Sequence, residues 1–223
     1  MCKFFITVLL TVIAGMAHAA DSGDGQPLFT IDENVWVTFY DLPSRRFRSI
    51  RNSFITRDFE SVVRELEPTI GFLVIEADRA TPAVHDALIE VIQKLQSIQG
   101  RIGDPSVTVG DLDSAFARAH WLLSQHYLVM SMKSRDNRQH ESAGRYLWAT
   151  AHHLERAVLW SDARVDRDVL NSLESIREMS LRLQDSSRPE RVYQDKPIVL
   201  TARTLVAIGE HLDRKVWIDV PVQ

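Results

Sequence analysis

Hydrophobic periodicity between residues 111 and 160 constrains the fold of this chain more than any other feature. Residues 111–132 place apolar side chains at intervals of three and four, the spacing of one helical face. After a polar turn at 133–139, residues 141–160 repeat the pattern. Two amphipathic helices with a short connection hide their apolar faces by folding together, which predicts an antiparallel hairpin. The predicted faces comprise Leu112, Ala115, Phe116, Ala119, Leu122, Leu123, His126 and Met130 in the first helix, and Ala143, Leu147, Thr150, Ala151, Leu154 and Val158 in the second.

Start and stop signals predict further helices on both sides of this hairpin. Helices are expected from Pro43–Ser44 onwards, from Arg57–Asp58 to Arg79, from Thr81–Pro82 to Gly100, and from Asp166 to Gln184. Thr108-x-x-Asp111 resembles a capping box at the start of the hairpin's first helix. The sequence therefore predicts an all-α antiparallel bundle of six or seven helices in one domain, residues 43–217, with a tail at 218–223.

Two predicted helices carry local exceptions to the pattern. Pro68 and Gly71 interrupt the second helix, where an interior proline costs about 3 kcal/mol or bends the helix, so we expect a bend or break there. The last helix could begin at Ile198 or after Thr201. We favour the later start because the residues at 198–200 are β-branched or bulky.

Residues 21–42 are interpreted as a polar leader followed by an extended aromatic arm. Val35, Val37 and Phe39 alternate with aromatic and polar residues, a pattern typical of a strand. Because the chain offers little for a strand to pair with, we expect this segment to lie extended across the helices.

A faint internal repeat accompanies the helices. Arg57-Asp58 precedes the second predicted helix, as Arg135-Asp136 precedes the fifth, and the helix ends also correspond, at offsets of 77 and 78 residues. Duplication of a three-helix unit and chance similarity between amphipathic helices are equally good explanations.

The first twenty residues predict a cleaved signal peptide. Lys3 is followed by an uncharged apolar run from Phe4 to Met16, and Ala17-His18-Ala19 is a small-x-small cleavage site. The run is shorter than the ~20 apolar residues that span a bilayer. We therefore expect export to a bacterial periplasm with no membrane anchor after cleavage. Cys2 is the single cysteine and would be removed, so the mature protein would have no disulfide, thiol nucleophile or Cys-ligated metal.

Charge argues against a nucleic-acid partner. The chain has 26 basic and 30 acidic residues, and loss of Lys3 with the leader changes the formal net charge from −4 to −5. A nucleic-acid-binding domain has a basic surface patch, usually with a high isoelectric point.

Histidines on the central hairpin are the first candidate site. His120, His126 and His152 could meet inside the bundle and hold a metal ion or haem. Folding the hairpin at about Asp136 places His120 level with His152, whereas His153 is expected to point elsewhere. No spaced metal-binding motif supports the idea, and buried histidines hydrogen-bonded to neighbours explain the pattern more simply.

Arginines in the first predicted helix are the second candidate site. Arg45 and Arg46 fall in the first turn, where the helix dipole disfavours positive charge. With Arg48 and Arg51 they could bind an anionic ligand or an acidic protein partner. The alternative is that they pair with acidic neighbours such as Asp41 or Glu33, or are solvated.

No catalytic motif is present in the sequence: it has no G-x-S-x-G and no glycine-rich phosphate loop. The leading interpretation is a non-enzymatic, periplasmic binding or scaffold protein that needs no cofactor. The alternative is a metal- or haem-handling bundle.

Overall fold

The computed structural model describes residues 18–20, 28–30, 33–161, 164–185 and 196–212. Over these ranges the protein is an all-α bundle with seven helices longer than ten residues, as predicted. A short antiparallel ribbon precedes them, in which β1, His18–Ala20, pairs with β2, Leu28–Thr30. The helices are α1 Leu42–Ile55, α2 Phe59–Arg79, α3 Pro82–Gln99, α4 Val109–Asp136, α5 His140–Ser161, α6 Arg167–Gln184 and α7 Lys196–His211.

Helix α4 lies at the centre of the bundle. It forms the predicted hairpin with α5 and also contacts α1, α3 and α7. Because it has neighbours on several sides, all eight residues from Trp121 to Leu128 are buried. Its first turn contains the predicted capping box: Asp111 N donates to Thr108 Oγ1 at 3.2 Å, and Thr108 N donates to Asp111 Oδ2 at 3.0 Å. No helix in the described part of the chain combines the length and apolar character needed to cross a membrane.

The expected break in α2 does not occur. The helix runs from Phe59 to Arg79 through Pro68 and Gly71. Its buried stripe, which includes Leu66, Ile70 and Leu73, continues across the proline, and this packing offsets the missing backbone hydrogen bond.

The late start predicted for α7 is also wrong, since the helix begins at Lys196. Ile198 is buried on the same face as Ala202, Leu205 and Ile208, so helical packing outweighs the modest propensity cost of three bulky residues. Pro197 fits because the first helical turn needs no intrahelical N–H. Several predictions fall outside the described residues. They concern the end of the domain at 217, the tail, residues 1–17 of the leader and residues 21–27.

Residues 33–39 are helical and not an extended arm. Glu33–Trp36 form one α-helical turn and Val37–Phe39 a 3₁₀ turn. The helical turn brings Trp36 and Phe39 to the same side, and the Trp36 ring stacks on Phe72 with centroids 5.7 Å apart. Burial of Trp36 therefore decides the conformation here. Among the described residues of the predicted leader and arm, Leu28–Thr30 are extended, as predicted.

The α1–α2 and α4–α5 connections use the same three-residue turn. Arg57 and Arg138 adopt positive φ values of 60° and 59°. In both turns the next amide bonds back across five residues, Asp58 N to Ser53 O and Gln139 N to Ser134 O, each at 2.8 Å. The structurally equivalent residues are thus Arg57 and Arg138, so the repeat predicted at Arg57 and Arg135 is out of register with the turns.

Candidate functional site

A groove of about 700 Å³ opens between α1, the start of α4, the end of α5 and Leu212. On α1, Ser44, Arg48 and Arg51 lie on one face at helical spacing. On α4, small residues at 110, 114 and 117 leave the space between the helices open. We call this cavity the arginine groove, because Arg48, Arg51 and Arg156 line it.

Positive charge exceeds negative charge in the arginine groove. Among the described residues, Asp113 is the single acidic residue in the lining, and Arg51 Nε lies 2.9 Å and 3.1 Å from its two carboxylate oxygens. Arg48 is exposed, and neither Arg48 nor Arg156 has an ion-pair partner among the described residues. One carboxylate thus faces three guanidinium groups, an arrangement suited to an anion.

Two buried donors in the groove lining lack a hydrogen-bond partner among the described residues. They are Arg156 Nε and Trp160 Nε1. A buried donor without a partner costs about 1–3 kcal/mol. Both donors lie on the last turns of α5, where Arg156 and Trp160 are one helical turn apart and share a face.

The positive charge of Arg156 reaches the neighbouring histidines. Burial first, and then the charges of His152 and Arg156, hold the pKa of His120 well below its ordinary value. Burial also lowers the pKa of His152 to about 4, with Arg156 and Arg177 acting in the same direction and Asp41 opposing them. These imidazoles are therefore neutral at pH 7 and cannot supply further positive charge.

The structure separates the four arginines predicted from sequence. Arg48 and Arg51 line the groove, whereas Arg45 pairs with Asp41 at 3.1 Å, as the alternative explanation proposed. Arg46 is half-buried, does not line the groove, and its Nε has no hydrogen-bond partner among the described residues. Arg156 was missed. The sequence does hold a signal for it: Arg156 lies one helical turn before Trp160, and both fall outside the main apolar stripe of α5.

The three candidate metal-binding histidines have different polar partners, although His120 and His152 both contact the ring of His153. The sequence placed His120 level with His152 and predicted that His153 points elsewhere, but His120 Nδ1 lies 2.8 Å from Nδ1 of His153. His126 Nε2 lies 3.0 Å from Glu76, and His152 contacts Ser44 and Asp41. No group of three or more His, Cys, Asp or Glu side chains in the described part of the chain could hold a metal ion. The geometry therefore gives the metal or haem hypothesis no support.

Ser44, His152 and Asp41 have the composition of a catalytic triad but not its geometry. His152 Nε2 lies 2.7 Å from Ser44 Oγ and 3.0 Å from Asp41 Oδ1, so both partners meet the same ring nitrogen. Facing a carboxylate, this nitrogen carries the proton and cannot accept one from the serine. The cluster positions Ser44 at the groove without activating it as a nucleophile.

A second polar cluster, around Glu76, is wholly enclosed. The Glu76 Oε1 atom accepts hydrogen bonds from Trp36 Nε1 at 2.6 Å, Tyr127 Oη at 3.0 Å and Arg79 at 3.0 Å. Burial alone would raise the pKa of Glu76, but His126, Arg79 and Trp36 outweigh burial and lower it. Because three side-chain donors from three segments converge on one buried carboxylate oxygen, this cluster stabilises the bundle.

Comparisons with protein-family models, curated protein sequences and solved structures found nothing that matches this chain.

Proposed function

We propose that the protein is an exported, non-enzymatic binding protein that holds an anionic ligand in the arginine groove. The observation that carries this proposal is the convergence of Arg48, Arg51 and Arg156 on one cavity, where the described part of the chain contributes a single carboxylate. Guanidinium groups are the preferred partners of carboxylates and phosphates because their paired N–H groups match these anions geometrically.

The size and construction of the groove also support ligand binding. A volume of about 700 Å³ is within the ~300–1,000 Å³ range of small-molecule sites. The lining residues other than Leu212 sit on helices, which hold a site more rigidly than loops do. The partnerless donors Arg156 Nε and Trp160 Nε1 would gain hydrogen-bond acceptors from a bound anion.

Export is proposed from the leader. Lys3, the apolar run and Ala17-His18-Ala19 have the order of a signal peptide. Cleavage would remove most or all of β1, while every residue of the groove lies far downstream. N-terminal sequencing of the protein recovered from cells should give Ala20 or Asp21. An intact Met1 in the fractionated protein would contradict export.

Isothermal titration with inorganic phosphate tests the anion site. We expect saturable binding at low ionic strength that Arg156→Gln weakens at least tenfold, because this arginine has no other ionic partner in the described structure. Arg45→Gln is the matched control, since Arg45 is exposed, pairs with Asp41 and does not line the groove. Equal weakening by both variants would indicate nonspecific electrostatic attraction and contradict the proposal.

A further inference from the structure

The arginine groove has a charged and an apolar part. Its charged wall consists of Arg48 and Arg51 from α1 and Arg156 from α5. The apolar wall is formed by Ala117, Leu159, Trp160 and Leu212. The two walls face the same space, so a ligand that fills the groove contacts both.

Leu159 is the most informative residue of the apolar wall. Its side chain is 61% exposed, the largest exposed fraction among the large hydrophobic residues in the described part of the chain. The neighbouring ring of Trp160 is held in place by Phe116, with the two ring planes at 73° and their centroids 5.4 Å apart. The wall is therefore already formed and still has apolar surface to bury.

We propose that the ligand is an amphipathic organic anion, with a carboxylate or phosphate head and an apolar body, of the kind represented by a medium-chain carboxylate. This inference rests on the proposed anion-binding function and adds the chemical class of the ligand. The head group lies among Arg48, Arg51 and Arg156, where it accepts hydrogen bonds from the guanidinium groups. The body covers Leu159 and the Trp160 ring. Each buried methylene adds about fourfold to affinity, so the apolar wall selects for chain length.

Titrations with acetate, octanoate and 1-octanol separate the contribution of the two walls. Octanoate should bind at least tenfold tighter than acetate, and 1-octanol, which lacks the charge, should bind at least tenfold more weakly than octanoate. Leu159→Ser should reduce the octanoate-to-acetate affinity ratio at least threefold. Leu170→Ser is the matched control, because Leu170 is 51% exposed on α6 and does not line the groove.

The other outcomes distinguish this inference from the function on which it rests. If octanoate binds no tighter than acetate while Arg156→Gln still weakens acetate binding, the apolar wall is not used and this inference is overturned alone. If 1-octanol binds as tightly as octanoate and Arg156→Gln changes neither, the groove recognises apolar chains and the anion-binding function is overturned as well. Absence of binding by both acetate and octanoate overturns this inference, and the anion-binding function is then decided by the phosphate titration.

Discussion

The indole nitrogen of Trp36 lies 2.6 Å from a carboxylate oxygen of Glu76, and both residues are buried. This hydrogen bond joins the helical turn at residues 33–39 to the C-terminal part of α2. Tyr127 donates to the same oxygen from α4 at 3.0 Å. One carboxylate thus links three segments that are distant in sequence, and it explains why the aromatic segment is helical and docked.

Replacing Glu76 should destabilise the bundle strongly. Glu76→Gln removes the charge opposite Arg79 and His126 and adds a donor where four donors already converge. We expect the free energy of unfolding to fall by about 3 kcal/mol, as for removal of one partner from a buried ion pair. Urea unfolding followed by circular dichroism measures this change. Glu67→Gln, at an exposed position of α2, should change stability by less than about 0.5 kcal/mol, and equal effects of the two variants would contradict the account.

Two helical glycines should respond oppositely to alanine. A Cβ at Gly144 would lie 2.6 Å from the backbone oxygen of Ser180 on α6, so Gly144→Ala forces α5 and α6 apart and should cost about 1–3 kcal/mol. A Cβ at Gly71 would meet nothing within 4 Å, so Gly71→Ala should stabilise α2 by about 0.5–1 kcal/mol. Thermal unfolding of both variants tests the α5–α6 contact. Stabilisation by Gly144→Ala would show that these helices are not closely packed.

The buried histidines should make the protein sensitive to mild acid. Burial lowers the pKa of His120 and His153 well below the ordinary value of 6.5 and that of His152 to about 4. Between pH 6.5 and about pH 4, these histidines bind protons in the unfolded chain but stay neutral in the native protein. The contribution of their burial to stability is therefore full above pH 6.5 and is lost as the pH falls towards 4. Each histidine contributes up to about 1.4 kcal/mol per pH unit in that window.

Urea titrations between pH 7.5 and 5.0 measure this slope. His152→Gln should make it less steep, because it removes one of the three buried imidazoles whose pKa is lowered. The lowered pKa of Glu76 adds acid sensitivity only as the pH falls below its ordinary value of 4.5, which lies outside the range of these titrations. A stability independent of pH between 7.5 and 5.0 would contradict the buried, neutral state of these histidines.

Local signals in the sequence were sufficient to predict the helices. The capping box at Thr108–Asp111 and the Thr81–Pro82 start are local, and both are confirmed. Errors occurred where tertiary packing outweighs local preference, at Trp36, Pro68 and Ile198. In each case, a buried apolar stripe or ring decides the conformation, and its partner lies on another element of the bundle.

The sites were less predictable because they depend on register between helices. Neighbouring residues of a helix point in directions about 100° apart. The predicted register of the hairpin was wrong by one residue, so it placed His152 level with His120, whereas His153 is the residue that contacts it. Periodicity identified Arg48 and Arg51 as candidate residues. It could not join them to Arg156, because the packing of α1 beside the end of α5 follows from the whole bundle and from no single helix.

The most direct test of the arginine groove is a phosphate titration of the ¹⁵N-labelled protein monitored by NMR. The account predicts saturable shifts of the Trp160 indole N–H and the Arg156 Nε–H signal, with the Gly110 and Ser114 amides following the same binding curve. The Arg45 Nε–H signal, outside the groove, should shift little. Saturable shifts centred on Arg45, or no saturable shift at Trp160 and Arg156, would contradict the account.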